Sequence, residues 1–209
     1  TTIGQIVTLD LNQIKNTISS DGVSNAFFTL NLPMPDGSFQ PFNVRNSNIL
    51  ENQPSNIQTI AGESMDNSAQ LRISITPSGL SGIIHYNNGY YILEVMDEKE
   101  GTYQIYNLND SGQGNCGTNS SDLKNIVNAN GKVLSTGLFP IGAELRKYKF
   151  AGAATGEMTD SLGTQTAARD KIVAIMSAAN LIYELEASVS FEVIDKTTDL
   201  SLIFTDDTT

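Results

Sequence analysis

The chain has 209 residues, 39% of them apolar and 17% charged, and 12 Lys and Arg against 23 Asp and Glu leave a formal charge of −11. That length allows one large domain or two small ones, and so acidic a chain lacks the clustered cations that neutralise a phosphate backbone, so no nucleic-acid partner is expected. A single Cys and a single His exclude an intrachain disulfide and any closed zinc tetrahedron built without carboxylates, and no stretch approaches the ~20 apolar residues of a membrane span.

Residues 1–22 carry Leu9, Leu11 and Ile14 among polar neighbours and end on Ser19-Ser20-Asp21-Gly22, turn chemistry without a clear preceding period. Across 25–32, Phe28, Leu30 and Leu32 alternate as in a strand. Asp36-Gly37 is a hairpin signal, and 39–44 returns as the second strand. Leu71, Ile73 and Ile75 alternate with Arg72, Ser74 and Thr76, the pattern of a half-buried strand. Pro77-Ser78-Gly79 turns the chain into a strand over 80–86, Asn87-Asn88-Gly89 turns it again, and strands over 90–96 and 102–106 follow. Short strands at regular spacing predict an antiparallel meander curled into a sandwich or half-barrel.

Residues 107–130 change character. From Asp110 to Ser121 there is almost no apolar side chain, so burial cannot offset the entropy of ordering this loop unless something binds it. Residues 130–140 read as a linker. Beyond them the pattern predicts a strand over 145–155 and a helix over 165–185. The helix carries one apolar stripe of Ala168, Ile172, Ile175, Met176, Ala179, Ile182 and Tyr183. A strand over 188–194 alternates through Val189, Phe191 and Val193, and another short strand is predicted over 200–204. The fold class is α+β: an antiparallel β-meander over 1–140, then a βαβ unit over 141–209, its crossover expected to be right-handed. That unit is too small to enclose a core, so its sheet edge and apolar face need cover, expected from a second chain or an oligomer.

Three segments of the first half, 33–39 (Pro33-Met34-Pro35-Asp36-Gly37-Ser38-Phe39), 71–79 and 85–92, resemble the propeptide of secreted bacterial reprolysin-like zinc peptidases, which are metzincins of the adamalysin type. Residues 146–157 resemble the first strand of their catalytic domain, 172–184 its first helix and 200–206 a later strand. The resemblance implies an inhibitory propeptide joined to the opening of a zinc endopeptidase domain. The zinc signature of such enzymes, H-E-x-x-H with a further His, sets two imidazoles one helical turn apart on one metal. It is absent from this chain, whose lone His85 falls in the β half. The resemblance therefore implies no catalytic residue here and zinc only in the complete protease. It also implies, as partner, the remainder of the catalytic domain, on the same precursor or on a nicked second chain. Secretion is expected as well. The low charge and plentiful Asn, Ser, Thr and Gly agree with it, and Thr1-Thr2-Ile3-Gly4 reads as a start from which a leader has been removed.

The same resemblance gives Cys116 a role. It lies in Gly114-Asn115-Cys116-Gly117-Thr118, between the inhibitory and catalytic halves. A cysteine switch would put its thiolate on the open zinc position and displace the attacking water, with the flanking glycines admitting the backbone to a narrow cleft. The bland alternative is an incidental exposed thiol or an intermolecular disulfide. Arg146-Lys147 could be a processing site or the solvent-facing start of a strand, and the stretch from Leu138 to Glu144 is a second place for a cut. His85 reads as structural, facing away from Ile84 and Tyr86. Asp97, Glu98 and Glu100, like Asp206 and Asp207, read as solvated turn carboxylates, because neither group has the spaced oxygens and central Gly of an EF-hand calcium loop. Tyr90, Tyr91, Tyr103 and Tyr106 read as sheet packing. The rival reading, from a different class, is a non-enzymatic β-rich secreted or surface binding module with a small α/β appendage.

Overall fold

The computed structural model describes residues 4–21, 27–97, 99–110 and 144–205. A short strand β1 (Gln5–Thr8) leads into helix α1 (Leu11–Asp21), and seven strands follow: β2 (Phe28–Pro33), β3 (Phe39–Asn46), β4 (Gln58–Ser64), β5 (Ala69–Thr76), β6 (Gly79–Tyr86), β7 (Gly89–Asp97) and β8 (Thr102–Asn107). They form one antiparallel sheet in the order β1-β8-β7-β6-β5-β4-β3-β2, curled into a half-barrel. The meander follows from local chemistry. In the β6–β7 hairpin Asn87 and Asn88 both take positive φ (49° and 59°), as a tight primed turn requires. In the β2–β3 hairpin Gly37 sits at φ 83° while Asp36 Oδ1 accepts from the Ser38 N–H (2.9 Å) and hydroxyl (2.6 Å). Asp66 plays the same part between β4 and β5, and hydrogen bonds from Ser64 and Ser68 hold its carboxyl down at about 2.

One face of this sheet carries the first core. Leu30, Leu32, Phe42, Val44, Ile60, Leu71, Ile73, Ile75, Ile84 and Leu93 point into it at alternate positions. Helix α1 adds Ile14 and Ile18, with Asp10 capping its start by accepting from the Gln13 N–H at 2.9 Å. The ambiguous opening is thus a strand and a helix, whose apolar positions at 11, 14 and 18 are too few to read as a period without the sheet they meet. Strand β4 has no alternation to announce it, because Ile60 is its single large apolar side chain, with Ile57 just before it.

After residue 143 the chain forms β9 (Arg146–Phe150), helix α2 (Gly156–Leu162), helix α3 (Gln165–Ala187), β10 (Val189–Val193) and a short helix α4 (Asp195–Thr198). Strands β9 and β10 pair in parallel, the strand–helix–strand arrangement expected from the patterning. Helix α3 starts where the Thr164 hydroxyl accepts from the Ala167 N–H and ends at Ser188 in the left-handed region (φ 51°). Two local expectations need correction. The predicted strand 145–155 stops at Phe150, and 200–204 is a turn joined to Ala154 by one parallel bridge at Ile203. Leu200 takes φ 72°, which strand geometry does not allow, and Gly152 lies where a Cβ would come within 2.7 Å of Ile172.

The second core joins the two parts of the chain. Ala154, Ala168, Ile172, Val173, Met176, Val193 and Ile203 pack with Ile49, Leu50 and Ile57 from the loop between β3 and β4. The β10 edge of the small sheet and the core beneath it are therefore covered from within the same chain.

Candidate functional site

The place where the two parts meet is a seam between α3 and the second face of the half-barrel. Strand β5 is buried on both faces, not half-buried as its alternation predicts: Arg72, Ser74 and Thr76 turn away from the first core and lie under α3. The helix is correspondingly buried on two sides. Ala168, Ile172 and Met176 serve the second core, while Asp170, Ser177, Leu181 and Glu184 fall on the side toward β5. The predicted single stripe is therefore rotated, with Ile175 (51%) and Tyr183 (47%) largely exposed. Tyr183 instead meets Phe191 edge-on at 5.2 Å.

Three polar anchors cross the seam. Near the start of α3, the Asp170 carboxylate is buried; its Oδ2 accepts from the Ser78 hydroxyl (2.8 Å) and N–H (3.2 Å). Its Oδ1 accepts from Arg169 Nε (3.0 Å) and Nη2 (2.7 Å). Toward the far end Arg72 donates to Glu184, an ion pair whose arginine is 7% exposed. At the end of the helix the Tyr90 hydroxyl donates to Glu186 at 2.9 Å. Between the anchors, the hydroxyls of Thr59, Ser74 and Ser177 are buried with no hydrogen-bond partner among the described residues. Grooves flank the helix on both sides. One, of about 280 Å³, is lined by Arg45, Glu63, Gln70, Arg72 and Glu184. The other, of about 320 Å³, lies among Ser78, Ser81, Glu94, Leu162 and Lys171.

A second seam runs along the edge of β10. Residues 49–51 add a parallel bridge to Val193, whose N–H donates to the Ile49 carbonyl (2.7 Å) and whose carbonyl accepts from the Glu51 N–H (2.9 Å). The buried Asn180 amide covers the same strand at Phe191, donating to its carbonyl (2.9 Å) and accepting from its N–H (2.7 Å). Lys149 bridges Glu51 (2.7 Å) and Glu192 (2.5 Å), and these two carboxylates push the ammonium up to about 12.

Burial, with the bond to Glu186 second, raises the Tyr90 hydroxyl to about 12; burial and a bond to Glu94 raise Tyr106 to about the same value. Because the folded value lies above the unfolded one of about 10, the stabilisation is complete below that pH and is lost as pH rises through the folded value. In a titration followed by phenolate absorbance, Tyr90 and Tyr106 are expected to ionise above the ordinary tyrosine range, and Glu186→Gln should bring Tyr90 forward while leaving Tyr106 in place.

The residues singled out from sequence are scattered. Gly114, Asn115, Cys116, Gly117 and Leu138 lie outside the described residues, as do Glu98, Asp206 and Asp207. Glu144 is exposed just before β9, and Arg146 and Lys147 are the exposed first residues of that strand, with Lys147 3.4 Å from Glu192. His85 faces outward from β6, its ring 4.9 Å from that of Tyr90. Asp97 Oδ1 accepts from the N–H groups of Lys99 (2.9 Å) and Glu100 (3.2 Å), so it closes a turn. Of the tyrosines, Tyr103 is in the first core and Tyr91 packs on it, whereas Tyr90 and Tyr106 serve the other face. Among the described residues no group of three or more His, Cys, Asp or Glu could hold a metal, so these residues do not fit a zinc site. Nor is any helix among them long and apolar enough to cross a membrane. The anchors escaped the sequence reading. Their one signal was Asp170 and Glu184, carboxylates two heptads apart on a helix otherwise read for its apolar stripe.

No protein-family model matches the chain, and no curated protein matches it. One similar solved chain belongs to a structure described as "Structure of a chaperone-substrate complex". It shares 14% identity over 53% of this chain and 88% of its own, with a TM-score of 0.38.

Proposed function

We propose that this chain is the inhibitory propeptide and opening segment of a secreted, reprolysin-like zinc endopeptidase zymogen. Its half-barrel would be the propeptide, and β9–α3–β10 would open a metzincin catalytic domain. The observation that carries the reading is the grip of the first part on the second: α3 packs across β5 and β6 on the outer face of the half-barrel, and residues 49–51 occupy the edge of β10. Such a grip suits a segment that must hold a neighbouring domain latent. The segments that resemble the propeptide fall in β2–β3, β5–β6 and β6–β7; of those that resemble the catalytic domain, 146–157 begins with β9 and 172–184 lies in α3, while 200–206, expected as a later strand, is a turn over its described residues. In this reading zinc belongs to the complete protease, held by histidines of the precursor outside this chain, and Cys116 supplies the thiolate that keeps it latent. The remainder of the catalytic domain is the partner.

The test is Cys116→Ala in the full-length precursor. The expected result is earlier autoactivation and measurable peptidase activity before cleavage, while His85→Ala changes neither. Unchanged latency in the Cys116 variant would leave steric cover by the half-barrel as the means of inhibition. A second reading, a non-enzymatic β-rich binding module, is favoured by the open grooves on both sides of α3. Metal analysis of the full gene product separates the two, since only the zymogen requires stoichiometric zinc.

A further inference from the structure

We propose that the outer face of β4–β7 is a helix-binding surface that keeps residues 144–205 attached to the half-barrel without a covalent link once the chain between 110 and 144 is cut. The inference rests on the zymogen reading only for the expectation that such a cut occurs.

The two cores differ in a way that points to two separable pieces. Every residue of the first core comes from between Val7 and Ile105, so the half-barrel closes its interior with no help from the second part. The seam with α3 has another composition. It is built on a carboxylate at each end, Asp170 against Ser78 and Glu184 against Arg72, with a tyrosine–glutamate bond beyond. Hydroxyls of Thr59, Ser74 and Ser177 are buried in the middle. Polar groups at this density mark contacts between units that fold separately, whereas a permanent core is apolar and satisfied.

The seam also has the features of recognition. Asp170, Ser177 and Glu184 are one heptad apart and lie along one side of α3. A buried arginine in β5 demands an acid at the far end, and a helix without one would leave Arg72 charged and unpaired. The apolar anchor lies elsewhere: Ile49, Leu50 and Ile57 enter the second core, and residues 49–51 hydrogen-bond along β10. Together these contacts give the half-barrel a specific hold on one helix and one strand edge, independent of the chain that connects the two parts.

The experiment uses the full chain with a recognition sequence for a sequence-specific protease inserted between Ser120 and Ser121. After complete cleavage the two pieces are expected to co-elute on gel filtration at the size of the uncut chain. In the same background Glu184→Ala should weaken the association of the cut pieces roughly 30-fold or more, while the uncut variant keeps its far-ultraviolet circular dichroism because the first core is untouched. Separation of the cut pieces without any substitution overturns the proposal. Co-elution that both Glu184→Ala and Ser78→Ala leave unchanged overturns the assignment of the seam. None of these readings uses zinc or Cys116, so a precursor that proves not to be a peptidase would sink the zymogen reading while the gel-filtration result stands by itself.

Discussion

Asp170→Ala is expected to lower the stability of the chain by about 3–5 kcal/mol, the usual consequence of removing one partner of a buried ion pair. Asp170 is 1% exposed, and both of its oxygens are engaged. Alanine would leave the Arg169 guanidinium buried and unpaired and would take the acceptor from the Ser78 hydroxyl and N–H. In a domain of this size such a loss lowers the melting midpoint by roughly 6–20 °C. Calorimetry on the 209-residue chain checks it. The double variant Arg169→Met, Asp170→Leu should recover most of the loss, since replacing both charges with apolar groups removes the uncompensated one. A double variant no more stable than Asp170→Ala would show that the anchor acts through Ser78 instead.

Leu50→Ala is expected to cost about 2–5 kcal/mol, and its effect should be concentrated far along the chain from residue 50. Leu50 is 1% exposed in the second core, against side chains from α3 and β10, and its backbone makes the parallel bridge to Val193. The loop that carries it belongs to the half-barrel by sequence, but the cavity would open beside Ile172 and Met176. Hydrogen exchange should therefore show lost protection in α3 and β10 and unchanged protection in β5–β8, whose apolar face packs in the other core. A loss spread evenly over both regions would mean that the two cores unfold as a single cooperative unit.

Both effects concern residues that draw no attention in the sequence. Leu50 lies in a polar stretch without period, and Asp170 follows Arg169 as an ordinary pair of helix charges. Arg72 reads as the solvent side of an alternating strand. What buries each of them is another part of the chain: 112 residues separate Arg72 from Glu184, and 92 separate Ser78 from Asp170. Cys116 is the opposite case. Its prominence comes wholly from the sequence, as the only thiol, flanked by glycines, in a stretch with almost no apolar side chains.

The sequence by itself determined the elements whose cause is local. The hairpins at Asp36-Gly37 and Asn87-Asn88 follow from turn chemistry, the strands β2 and β5 from alternation, β6, β7 and β8 from the turns that bound them, and the span of α3 from its period. Each depends on side chains within a few residues of one another. Only the tertiary structure decided which side of α3 meets the half-barrel, that residues 49–51 close the edge of β10, and that 200–204 is a turn with a single bridge. It also decided that β5 is buried on both faces. The physical reason is that a strand edge or a polar helix face is satisfied by whatever packs against it. Here the partner is distant in the chain, so nothing in the local pattern distinguishes Arg72 in water from Arg72 paired with Glu184 beneath a helix.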